Sequence, residues 1–280
     1  MPAPIEISSP HGVTLVGDEW PGGGAPVVFA HGGGQTRHSW GASAARLAER
    51  GRRTMVYDQR GHGDSGWHDD GHYRFEDFAA DVPAVVAHMG EPVVWVGASL
   101  GGMAGLLAAA ESDAPIAAIV LVDITHRPAA DGVSKILEFM RADLERGFGS
   151  LEEAAEAVAA YQPHRTNRSD PEGLRKNLRQ GEDGRWRWHW DPRFMDVRGP
   201  SSDGDRYDRL ERALRSLDCP VLLVRGRLSD LVTDDEVAAF LEVAPDADVV
   251  DVSGAAHMVA GDRNDVFTAA VIGWLDDRGL

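Results

Sequence analysis

The chain has 280 residues, 43% of them apolar, enough to bury a substantial core in one large domain or two small ones. Its formal net charge of −17 argues against a nucleic-acid or anionic-membrane partner, because those surfaces attract clustered lysine and arginine. A neutral or weakly charged small molecule fits better, and the single cysteine, Cys219, cannot form an internal disulfide and reads as a buried strand residue.

The opening "MPAPIEISSPHG" has neither a basic nor an apolar leader segment, so a cytoplasmic location is expected. No apolar run approaches the ~20 residues of a spanning helix. Short β-rich runs then follow in order: "IEIS" from 5, "VTLVGDEW" from 13, "PVVFA" from 26, "RTMVYD" from 53, "PVVWVG" from 92, "IAAIVLVD" from 116, "PVLLVRG" from 220 and "ADVVDV" from 247. The later ones are continuously apolar, as strands covered on both faces of a parallel sheet must be. Helical patterns such as "FEDFAADVPAVVAHMG" and "LGGMAGLLAAAES" alternate with them, which predicts an α/β sheet.

One long interruption, 126–212, carries no clear strand. It holds the helical "SLEEAAEAVAAY" and the aromatic and basic "GRWRWHWDPRF". A structureless loop of that length is rare in a compact domain, so a helical cap inserted after the sixth strand is predicted, with 1–125 and 213–280 forming the core. The insertion follows a strand's C-terminal end, where α/β sheets bind ligands. Its tryptophans, Trp186, Trp188 and Trp190, are expected mainly to pack the cap, and Arg185 and Arg187 to pair with the acidic surface.

Gly97-Ala98-Ser99-Leu100-Gly101 fits G-x-S-x-G between a strand and a helix, where small residues permit a sharp turn that exposes the serine. A serine hydroxyl needs a base to become a nucleophile. His257, in "SGAAHMVAGDRND" between the last strand and the last helix, is the candidate. The base in turn needs a carboxylate. Asp230, just past the strand at 220, is favoured, with Asp123 at the end of "IAAIVLVD" as the alternative acid. The glycine-rich turn His31 to Gly34 offers backbone N–H groups for an oxyanion; Gly33 and Leu100 are the predicted donors, and Gly34 the fallback.

With "HGGG", "DQRGHGDS", "GASLGG", "GRLSD" and "GAAHM" in this order, the chain resembles the α/β-hydrolase family, and within it the serine esterases and cofactor-free haloperoxidase-like enzymes. The resemblance implies an α/β-hydrolase fold with a mostly parallel eight-stranded sheet and the triad Ser99, Asp230 and His257. It implies ester hydrolysis without a cofactor or metal, on a small-molecule ester of a small or medium acid. Lactonase, perhydrolase and carbon–carbon bond hydrolase chemistry use the same triad, and a non-catalytic small-molecule receptor is the reading from another class. Haloalkane dehalogenases and epoxide hydrolases of the family are poor guides, because their nucleophile is an aspartate.

Two motifs invite other chemistry. "GHGDSG", Gly61 to Gly66, satisfies a dinucleotide fingerprint with Asp81 downstream, yet no helix opens at its glycines. Asp58, Arg60 and Asp64 are expected instead to brace that loop. His68 and His72 flank two aspartates, but with no helix to align the rings a solvated loop is expected rather than a metal site.

Overall fold

The computed structural model describes residues 1–163, 170–196 and 203–280. Strands β1 (Ala3–Ser8), β2 (Thr14–Trp20), β3 (Gly23–Ala30), β4 (Arg52–Tyr57), β5 (Val93–Ala98), β6 (Ile116–Val122), β9 (Val221–Gly226) and β10 (Asp248–Val252) form one eight-stranded sheet in the order β1-β2-β4-β3-β5-β6-β9-β10. Only the pairings β1–β2 and β2–β4 are antiparallel. From β4 to β10 the sheet is parallel, as the apolar runs require.

Alternation along each strand feeds two cores. Val28, Ala30, Val93, Trp95 and Leu223 face one side, against α2 (Phe75–Met89), α3 (Leu100–Glu111), α6 (Asp203–Arg215) and α7 (Asp234–Val243). Val27, Phe29, Val94, Val96 and Leu222 face the other, against α1 (Gly41–Glu49) and α9 (Asn264–Arg278), which follows the short α8 (Val259–Asp262). Both faces are therefore sealed from water, and the C-terminal ends of β3, β5, β6 and β10 open on a shared edge that carries the functional loops.

Between β6 and β9 lie α4 (Ala130–Ala142), α5 (Leu151–Tyr161), and strands β7 (Leu178–Gln180) and β8 (Trp186–Trp188), followed by α6. The expectation of a strandless insertion is corrected here: "RWRW" forms one arm of an antiparallel ribbon, Trp186 opposite Gln180 and Trp188 opposite Leu178. Met140, Phe148, Leu151, Leu178, Trp188 and Trp190 close a separate small core in this layer. By contrast α6 packs on the main core through Leu210, Ala213 and Leu214. Cys219 is also corrected, being half-buried just before β9 rather than inside it. Among the described residues no helix is long and apolar enough to cross a membrane.

Candidate active site

Ser99 stands between β5 and α3 at φ 45° and ψ −113°, a left-handed turn that a non-glycine residue adopts only when its surroundings force it. The packing supplies the force. A Cβ on Gly97 would lie 2.5 Å from the Gly101 carbonyl carbon, and one on Gly101 would lie 2.5 Å from the Ala30 oxygen, so only glycines let strand, turn and helix approach this closely. Trp95 locks the turn from below by donating its indole N–H to the Gly101 carbonyl at 2.9 Å. Among the described residues the only other non-glycine with positive φ is Asp123, at 49°.

That second outlier is the partner of the candidate base, His257. His257 Nδ1 lies 2.8 Å from Asp123 Oδ2. Asp123 is wholly buried, and it also accepts the Gly226 N–H at 3.0 Å and the Ser229 hydroxyl at 2.5 Å. With Nδ1–H donated to the carboxylate, Nε2 of His257 is left as the acceptor, the tautomer a general base needs. The expected acid, Asp230, is corrected: its side chain is 63% exposed and pairs with Lys135 Nζ of α4 at 2.6 Å. The reason lies in the turn after β9. Ser229 faces inward, where its hydroxyl also accepts the Leu231 and Val232 N–H groups at 3.1 and 3.3 Å, and the next residue points to solvent.

The glycine-rich loop after β3 is braced by three buried histidines. His31 donates Nδ1–H to the Gly32 carbonyl at 2.8 Å and accepts the Gln59 N–H on Nε2 at 2.9 Å. His62 accepts the Gly34 N–H on Nε2 at 3.0 Å while its Nδ1 donates to the Arg60 carbonyl at 2.9 Å. His189, just past β8, accepts the Gly63 N–H at 2.6 Å and reaches the Gly34 carbonyl at 3.3 Å. Burial holds all three neutral. It lowers His31 to about 4, against a smaller opposing effect of its bond to Gly32, and lowers His62 to about 3, with His31 close by adding to the effect. His189 is pushed far below the ordinary histidine range by burial and by its two histidine neighbours.

This brace sorts the candidate oxyanion donors. The Gly34 amide is committed to His62, which removes the fallback. Gly33 finds no acceptor for its N–H among the described residues and lies beside Leu100. Leu100 opens α3, where first-turn N–H groups have no partner within the helix. Ser99, His257, Gly33 and Leu100 all line one cavity of about 360 Å³ whose remaining wall is largely apolar, with Met103, Ile136, Val158 and Trp188 among its residues. Gln35 ties the two sides of this site together, accepting the Gly32 N–H at 3.3 Å and reaching the Met258 sulfur at 2.8 Å.

The remaining motifs settle into structural roles. Arg37 binds Asp18, Asp58 and Asp64 together, while the buried Arg60 pairs with Asp81 at 2.6 Å rather than with Asp58. His68 and His72 stack face to face at 4.4 Å on their loop. Trp188 and Trp190 stack at 5.1 Å, and both line the cavity. Arg187 pairs with Asp183, whereas Arg185 donates to the carbonyls of Arg146 and Gly147. The sequence alone assigns no role to His62, His189 or Ser229. A histidine enclosed by glycines at 61 and 63 was the one available signal, and the dinucleotide-like spacing obscured it.

The family model described as "alpha/beta hydrolase fold" matches residues 25–263. "Esterase Rv0045c" of Mycobacterium tuberculosis is 31% identical over 269 residues, covering 92% of this chain and 85% of that protein. "2-(acetamidomethylene)succinate hydrolase" of Mesorhizobium japonicum is 30% identical, covering 91% and 89% of the two chains. Among solved structures, a crystal structure of E-2-(acetamidomethylene)succinate hydrolase superposes with a TM-score of 0.82 at 24% identity, covering 99% of this chain and all (100%) of that one. The Mycobacterium tuberculosis esterase Rv0045c superposes with a TM-score of 0.75 at 27% identity, covering 99% and 92%.

Proposed function

Because the chain belongs to the alpha/beta hydrolase fold family, and is a hydrolase, we propose that it cleaves carboxylic esters of small or medium acids through a serine acyl-enzyme. The observation that carries this reading is the His257–Asp123 hydrogen bond at a cavity that also holds Ser99 on its strained turn.

In this mechanism Ser99 Oγ attacks the ester carbonyl carbon as His257 Nε2 takes its proton. Asp123, desolvated and held by three donors, keeps Nδ1 protonated and stabilises the imidazolium. Negative charge develops on the carbonyl oxygen, where the Gly33 and Leu100 N–H groups meet it without reorganisation. The carbon–oxygen bond to the alcohol then breaks, and His257 returns the proton to the departing oxygen. Water repeats the sequence on the acyl-serine and releases the acid. The neutral histidine brace serves the oxyanion loop, fixing Gly32 and Gly34 on either side of the Gly33 amide. Likeness over most of the chain to a protein named an esterase supports an ester as the scissile group.

Hydrolysis of p-nitrophenyl esters of increasing acyl length, wild type beside Ser99→Ala, tests the proposal. The expected result is turnover that falls at least ~10³-fold in the variant, with a length optimum set by the cavity. Equal turnover by both proteins would place the nucleophile elsewhere.

A further inference from the structure

Gln35 closes the glycine-rich loop after β3, its backbone N–H donating to the Gly32 carbonyl at 3.1 Å. Its side-chain Oε1 accepts the Gly32 N–H at 3.3 Å, which turns Nε2 toward the Met258 sulfur at 2.8 Å. A thioether is a weak acceptor and takes one of the two hydrogens on Nε2. Among the described residues the second meets no acceptor, and the side chain lines the cavity that holds Ser99 and His257.

This amide lies beside both reacting residues. A Cβ built on Gly32 would lie 3.2 Å from Gln35 Nε2 and 3.4 Å from the Cβ of Ser99, so the glycine leaves a small space flanked by the amide nitrogen and the nucleophile. Met258, which the amide holds on its other side, directly follows His257. The brace of the loop is complete without the second hydrogen, since His31, His62, His189 and Gln35 Oε1 already hold Gly32 and Gly34. A donor aimed into the reaction space thus calls for an acceptor that the reaction supplies.

We propose that Gln35 is a water-positioning residue, whose second Nε2–H binds the water that hydrolyses the acyl-serine. This assignment deepens the acyl-enzyme reading given above and rests on it. In the first half of the reaction the attacking oxygen is fixed by the turn that carries Ser99, whereas the water of the second half is held by its own hydrogen bond to His257 Nε2 and can still rotate about it. A donor at a second point removes that freedom. One lone pair of the water accepts the Gln35 N–H and the other bonds to the acyl carbon, while His257 Nε2 takes one proton. The bond from the acyl carbon to Ser99 Oγ then breaks, and the proton passes from His257 to Oγ.

The test measures the two half-reactions of p-nitrophenyl acetate separately in wild type and in Gln35→Met, which keeps the length of the side chain and removes its donor. With enzyme in excess, p-nitrophenol release gives the rate of acetylation, and the intact mass of rapidly acid-quenched samples gives the rate at which the acetyl group leaves. The expected result is a fall of about ten-fold in the ratio of deacetylation to acetylation. Gln35→Asn, a carboxamide one methylene shorter, keeps the experiment decisive if the methionine variant does not fold; it should lower the same ratio by roughly three-fold. Equal slowing of both steps overturns the assignment, because both pass through an oxyanion on the same two amides and a residue that only braces the loop moves them together. An unmoved ratio with unchanged rates overturns it as well. Absence of p-nitrophenol release by the wild type overturns the acyl-enzyme reading itself, and this assignment with it.

Discussion

Asp123 is a carboxylate with no exposed surface, and such a group persists as an anion only where donors replace its lost water. Three do so: the Gly226 amide, the Ser229 hydroxyl and His257 Nδ1. Asn at 123 would keep the size but could turn its amide N–H toward Nδ1, holding the imidazole in the tautomer that cannot accept the serine proton. Asp123→Asn is therefore expected to lower kcat by roughly 10³- to 10⁴-fold. Asp230→Asn removes only an ion pair exposed on both sides and leaves the Asp123–His257 contact in place, so its loss of kcat should stay within roughly ten-fold. Steady-state kinetics on one p-nitrophenyl ester decides between them, and a severe effect confined to the Asp230 variant would return the acid role to that residue. Both aspartates follow an apolar strand, and strand ends are visible in sequence. What sequence does not carry is the direction each side chain takes: Asp123 is turned inward by its positive φ, and Ser229 displaces Asp230 from the inner side of its turn.

Elements are joined here by buried polar contacts as well as by the two apolar cores. Arg60, on the loop after β4, is fully buried and grips Asp81 of α2 through Nε and Nη2 at 2.7 and 2.6 Å, with Ser9 beyond β1 hydrogen-bonded to the same carboxylate. Removing one charge of such a pair leaves the other in a low-dielectric site without compensation. Asp81→Asn should therefore cost about 3–5 kcal/mol in urea unfolding, and the double change Arg60→Met with Asp81→Leu should cost less than the single one. A single-variant loss under about 1 kcal/mol would show that the His72 carbonyl, 3.2 Å from Arg60 Nη1, already compensates the guanidinium. At this scale the sheet was the readable part, since β3, β5, β6 and β9 are apolar on both faces and carry that signature in every residue. The β7–β8 ribbon was not: three residues per arm, with arginine between tryptophans in β8 alone, give too few periods to declare a strand, and only the partner segment and the small cap core fix its conformation.

The whole molecule carries many more carboxylates than cations, 45 against 28, yet its first weakness in acid should come from histidines. His31, His62 and His189 are buried and neutral, lowered to about 4, to about 3 and far below the ordinary range. The groups around them deepen or oppose this: Arg37 disfavours a proton on His31, Asp58 and Asp191 favour one on His62, and Arg179 disfavours one on His189, with burial the largest cause throughout. An unfolded histidine titrates near 6.5, so below that pH the unfolded chain binds protons that the folded one refuses. The sign follows directly: the stability these residues contribute is complete above about 6.5 and is lost as pH falls toward the folded values of about 4 and about 3. Each can remove up to about 1.4 kcal/mol per pH unit within that window. Carboxylates lowered by ion pairing, such as Asp251 beside Arg225, act in the same direction only at lower pH, where they take up protons. The urea midpoint should therefore drop between pH 7 and pH 5, before most carboxylates titrate. In His62→Gln, whose side-chain oxygen can still accept the Gly34 N–H, the midpoint should fall less steeply over that range even if it starts lower. A wild-type midpoint that is flat from pH 7 to pH 5 would mean that the three rings take up protons inside the folded protein, and the oxyanion loop would then be held by charged histidines with a different hydrogen-bond pattern.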